Sequence, residues 1–225
     1  MIYNYDILIS PSSNLLDMDN KGESREPHPF HEEVATRRKA SFEINNIILN
    51  RWSPRAMTGE ELSEKELMTL FEAARWAPSS FNNQPWRFIY ANRSTEHWEK
   101  FLGLLADSNK IWAKDAAVLA AVVSHQNFEY NDKPSITHQF DAGAAWQNLA
   151  LEAASRGLVA HGMQGFDYER ARKELEIPET YDVMAMIAIG KRAPKENLPP
   201  KLQEREFQND RKPLSELIME GKFKH

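Results

Sequence analysis

The chain has 225 residues, 41% hydrophobic and 27% charged, enough for one large domain or two small ones and for a core without covalent staples. Its 28 basic and 33 acidic side chains give a net charge of −5, so a strongly basic nucleic-acid surface is not expected, while a local cationic pocket is allowed. The absence of cysteine excludes disulfides, thiolate nucleophiles, iron–sulfur ligation and cysteine-containing zinc sites, so any redox chemistry falls to a bound cofactor.

In chain order, Tyr3, Tyr5, Ile7 and Ile9 alternate as one face of a short strand. A polar, turn-rich run follows, and residues 1–30 read as a partly irregular arm. Asp6 within the first apolar stretch argues against a signal peptide. The longest purely apolar run, Ala116 to Val123, is far below the roughly 20 residues of a membrane span. A cytoplasmic location with no membrane partner is therefore expected.

Residues 31–192 read as one domain. Arg51-Trp52-Ser53-Pro54-Arg55 follows the apolar run Ile47 to Leu49. Two guanidinium groups and a hydroxyl fixed by a proline either surround an anion or form a solvated basic turn. Ser63 and Glu66 predict a capping box for a helix carrying Leu67, Leu70, Phe71 and Ala74. The segment from Ala77 to Trp86 separates this helix from a strand at 86–91. It is longer than a helix stop needs, and its hydroxyls and amides suit a polar heteroaromatic ring or a polyol.

A second strand is expected at 116–124, and a long helix between Thr137 and Arg156. Ala142, Ala145, Trp146, Leu149, Ala150 and Ala153 give that helix a wide stripe of mostly small residues, which predicts deep burial. After a short strand at 158–161, Gly162-Met163-Gln164-Gly165-Phe166-Asp167 leads into a helix capped by Asp167, where backbone N–H groups gather positive charge. This loop is neither a GxGxxG fingerprint nor a Walker loop. A last strand is expected at 183–189, and residues 193–225 form a charged, proline-punctuated extension. The pattern predicts an α+β or three-layer αβα domain. His28 and His31 beside Glu32 and Glu33 lack further ligands at metal-site spacing, and His161 reads as a satisfied core histidine.

In this order and spacing, the arginine–serine–arginine start, the APSSFNNQPW segment, the DAGAAWQNLALEAASRGL helix, the GMQGFD loop, the AMIAIGK strand and Arg211-Lys212-Pro213 resemble the nitroreductase family, from about Ile44 to Pro213. The resemblance implies a nitroreductase-like sandwich with a mixed, mainly antiparallel sheet. It also implies a homodimer with FMN at the interface and NADH or NADPH as electron donor. Arg51, Trp52, Ser53 and Arg55 would contact FMN, Arg51 at the phosphate and Arg55 at the N1 and C2 carbonyl edge. Ser79, Ser80 and Asn82 would reach the FMN of the other subunit. Met163, Gln164 and Gly165 would line the ring near N5, largely through backbone groups, and Arg211 would meet the phosphate. Phe81 would line the acceptor pocket.

Asn209 stands where relatives often carry a lysine, which lightens the phosphate clamp by one charge. The extension at 193–225 would complete both site and dimer. The implied reaction passes hydride from NAD(P)H through FMN to a small nitroaromatic- or quinone-like acceptor in ping-pong order, with no catalytic residue from the protein. The alternatives are a non-catalytic FMN carrier or sensor, and a same-fold flavoenzyme performing dehalogenation or ring oxidation.

Overall fold

In the computed structural model, which describes residues 29–223, alternation of side chains along the strands sets the architecture. The strands are β1 (Trp86–Asn92), β2 (Val118–His125), β3 (Leu158–Met163) and β4 (Tyr181–Lys191). They lie in the order β1-β2-β4-β3. All three pairings are antiparallel, so the sheet expected to be mainly antiparallel is wholly so among the described residues. The strand expected over Tyr3 to Ile9 lies outside the described residues.

Along β2, Leu119 and Ala121 point to one core, while Val118, Ala120 and Val122 point to the other. Met186 and Ala188 of β4 share the first core, and Ile187 and Ile189 the second. Period-two alternation with both faces apolar requires helices on both sides. On the second face lie α3 (Glu64–Arg75) and α6 (His138–Ser155). The Ser63–Glu66 capping box starts α3 as expected. The small stripe of α6 is buried, with Ala142, Ala145, Leu149, Ala150 and Ala153 at most 2% exposed.

The first face is covered by α4 (Trp98–Leu104), α5 (Asp107–Ala113) and α7 (Tyr168–Glu174). The sequence reading missed α4 and α5. Both are seven residues long, and their caps, His97 and Ala106, make no side-chain cap bond, so no start signal marks them. Yet they supply Trp98, Phe101, Leu104 and Trp112 to the core. Before the sheet come α1 (Glu32–Ala35) and α2 (Asn46–Asn50), which takes up the Ile47–Leu49 run. After it come α8 (Pro200–Gln203) and an exposed tail. Among the described residues, no helix is long and apolar enough to cross a membrane.

Candidate functional site

The segment after α2 leaves the helix at Arg51, whose backbone turns extended (φ −66°, ψ 119°). It then runs along the end of β4, where Ala193 donates to the Ala56 carbonyl (3.0 Å) and Thr58 donates to the Lys191 carbonyl (3.1 Å). Imidazole Nδ1 of His161 on β3 donates to the Pro54 carbonyl at 2.9 Å, which fixes the turn between the two arginines. The ring also lies 4.5 Å from that of Trp112. Burial, helped by the nearby Arg55 and Arg51 charges, pushes His161 down to about 4, so it stays neutral. His161 is satisfied, as expected, but it also forms part of a cleft wall.

That cleft, about 190 Å³, gathers Arg51, Trp52, Ser53, Arg55 and Arg211, five of the residues singled out from the sequence. Arg51 donates weakly to the Ser53 hydroxyl at 3.4 Å. Burial and the neighbouring Arg211 depress the Arg51 guanidinium below its usual range. Trp52 packs under the Arg192 guanidinium, 5.1 Å from the ring centroid, and Arg192 is in turn held by both carboxylate oxygens of Glu33. The tail supplies the opposite wall through Arg205, Phe207, Asn209 and Arg211.

Two further residues of the site carried no sequence signal. Arg38, only 7% exposed, donates Nη1 to the carbonyls of Leu49 (2.5 Å) and Arg51 (2.8 Å), and Nε to the carbonyl of Asn209 (3.0 Å). Glu206 accepts the backbone N–H groups of Arg55 (2.6 Å) and Ala56 (3.0 Å) on Oε1, while Oε2 lies 3.4 Å from Arg55 Nη1. Arg55 therefore reaches the cleft as one half of an ion pair, which the sequence reading did not foresee. Both residues lie in polar stretches without periodicity, and only the fold brings them to the arginines.

The second predicted group is elsewhere. Ser79, Ser80, Phe81 and Asn82 form the loop entering β1, whereas His161 sits on β3 at the opposite edge of the sheet. Three strand spacings of about 4.8 Å separate these edges by ~14 Å. Phe81, Asn82 and Gln84 all adopt positive φ (52°, 55° and 49°), a strained choice for a bulky phenylalanine. Bonds on every side hold it. Ser80 N–H donates to the buried Asp141 carboxylate (3.1 Å), and Gln84 N–H donates to the Ser79 hydroxyl (3.0 Å). Asn83 Nδ2 donates to the Asn127 carbonyl (3.2 Å), and its Oδ1 accepts Glu129 N–H (3.0 Å). The result displays Phe81 at 78% exposure against Phe128, edge to face at 5.6 Å, and Tyr130 at 6.0 Å.

The third group lies at the end of β3. Met163 is 4% exposed and packs into the core, so its side chain does not reach a ligand. The Gly165 carbonyl accepts from Ala106 N–H (2.9 Å) and Asn109 Nδ2 (3.0 Å). A Cβ on Gly165 would stand 2.8 Å from that Asn109 nitrogen, so any side chain there would have to push the amide aside.

Comparison with known proteins gives a consistent picture. The profile described as "Nitroreductase family" matches residues 48–111 and 104–191. Protein DrgA of Synechocystis sp. is 31% identical over 187 residues, covering 70% of this chain and 85% of that protein. A Streptomyces coelicolor protein named putative NADH dehydrogenase/NAD(P)H nitroreductase is 26% identical over 148 residues, covering 57% of this chain and 73% of its own length. A crystal structure described as an oxidoreductase containing FMN superposes with a TM-score of 0.79 at 44% identity, over 83% of this chain and 96% of that one.

Proposed function

The chain belongs to the nitroreductase family, and from that premise we propose how it works as an FMN-dependent NAD(P)H oxidoreductase. The observation that carries this reading is the convergence of Arg38, Arg51, Arg55 and Arg211 on one small cleft, where the ion pairs among the described residues include one carboxylate, Glu206. Buried Arg38 and half-buried Arg51, both depressed by burial and by the nearby Arg211, call for an anion, and forked donors match phosphate. The donor set fits FMN. When bound, FMN supplies hydride chemistry at N5 of its ring.

Arg51 and Arg211 hold the phosphate, with the Ser53 hydroxyl beside them. Arg55 meets the N1 and C2 carbonyl edge of the ring, and Trp52 closes the wall that Arg192 braces. Met163, Gln164 and Gly165 line the ring by their backbone; because the Gly165 carbonyl is already taken, that residue offers its N–H. Ser79, Ser80 and Asn82 come from the second copy of a homodimer. Residues 31–192 form the FMN-binding domain, and 193–225 an extension that completes the site.

Phe81, with Phe128 and Tyr130 behind it, forms an aromatic wall for a flat acceptor of nitroaromatic or quinone type. Donor and acceptor occupy this pocket in turn, which is a ping-pong order, and the protein works in the cytoplasm. Purified protein should be yellow and should bleach anaerobically with NADH or NADPH; steady-state plots against acceptor should run parallel. Protein that cannot be reconstituted with FMN sinks the reading. FMN that binds but resists reduction by either nucleotide points instead to a carrier or sensor.

A further inference from the structure

We propose that Arg38 is a third phosphate-binding cation of this site, recruited from the segment ahead of the matched family region. The inference rests on the FMN reading above. Arg38 lines the same cleft as Arg51 and Arg211, although it lies outside residues 48–191. Its three bonds all go to backbone carbonyls, those of Leu49 and Arg51 on one wall and Asn209 on the other. No carboxylate pairs with it among the described residues, and Nη2 has no protein acceptor there. Burial, then Arg211 and Arg51, lower it to about 10 against a smaller opposing pull from Asp210, so it remains a cation at neutral pH.

A buried charge that meets carbonyl dipoles, two like charges and only a weaker pull from Asp210 is poorly compensated until an anion arrives. The carbonyls fix the guanidinium plane on both walls at once, so Nη2, with its two N–H groups still to place, is preorganised to donate to a phosphate. The Asn209 side chain is neutral, and that position contributes its carbonyl to holding Arg38 and Arg211 in place.

The test titrates FMN and riboflavin into flavin-free full-length protein, for the native chain, Arg38→Met and Arg38→Lys. Arg38→Met should weaken FMN by roughly 10- to 100-fold, the scale of one charged hydrogen bond. Riboflavin, which lacks the phosphate, should change less than about twofold, and Arg38→Lys should fall between the two for FMN. Inorganic phosphate should raise the melting temperature of the flavin-free native protein, and raise it less in either variant. Equal weakening of FMN and riboflavin would mean a brace and nothing more, and would overturn the proposal. Unchanged FMN affinity, or a phosphate shift that survives in Arg38→Lys and Arg38→Met alike, would overturn it too. Should Arg38→Met not fold, Arg38→Lys alone decides by the same comparison. A native protein that binds neither flavin overturns the FMN reading and this proposal together, whereas FMN affinity without Arg38 dependence overturns only the proposal.

Discussion

Glu206 shows how one residue sets both shape and charge. Its carboxylate, 4% exposed at the side chain, ties the tail to two backbone N–H groups of the arginine segment and lies against the Arg55 guanidinium. A negative charge there subtracts from the field Arg55 can offer to the charge that reduction brings to the ring. Glu206→Gln keeps an acceptor for the two N–H groups and removes the charge. We expect the flavin midpoint potential to rise by ~30 mV, equivalent to about a tenfold preference for the reduced form. Arg55→Ala should move it the other way, and redox titration of the two holoproteins checks both signs. A potential that falls or stays put in Glu206→Gln would separate Arg55 from the ring edge.

Between elements, His161 is the tie that holds the arginine segment to β3, and the tie is sensitive to pH. Its folded-state value of about 4 lies below the usual 6.5 because burial disfavours the cation. Below 6.5 the unfolded chain takes up a proton that the folded chain refuses, so stability falls as pH drops from 6.5 toward 4 and is unaffected above that window. His161→Asn retains a donor for the Pro54 carbonyl but cannot titrate. Its melting temperature should therefore decline less steeply across that window than that of the native protein, as differential scanning calorimetry would show. An identical slope would place the acid sensitivity elsewhere. Sequence alone exposed the elements that announce themselves, such as α3 through its capping box and α6 through its small stripe. It missed α4 and α5, whose ends carry no capping side chain. At the site, the motif arginines were legible because proline and serine punctuate them. Arg38 and Glu206 were not, since their roles depend on contacts across 171 and 151 positions of chain.

At the scale of the whole molecule, the two halves of the predicted site stand on opposite edges of one sheet. One chain holds the two halves apart, and in the proposed homodimer a second copy would bring its Phe81 loop to the arginine cleft of the first. The exposed tail, with Leu214, Leu217 and Ile218 at 40%, 56% and 65%, offers apolar surface for the same contact. Sedimentation should therefore give twice the 26.0 kDa chain mass. The stronger test mixes two variants, Arg51→Ala and Asn82→Ala, each of which weakens FMN when alone. If every site takes its arginines from one copy and its loop from the other, a mixed dimer holds one doubly damaged site and one intact site. Half the dimers are mixed after subunit exchange, so about a quarter of all sites should regain native FMN affinity. Each site built within one chain would instead keep its own lesion, and mixing would restore none.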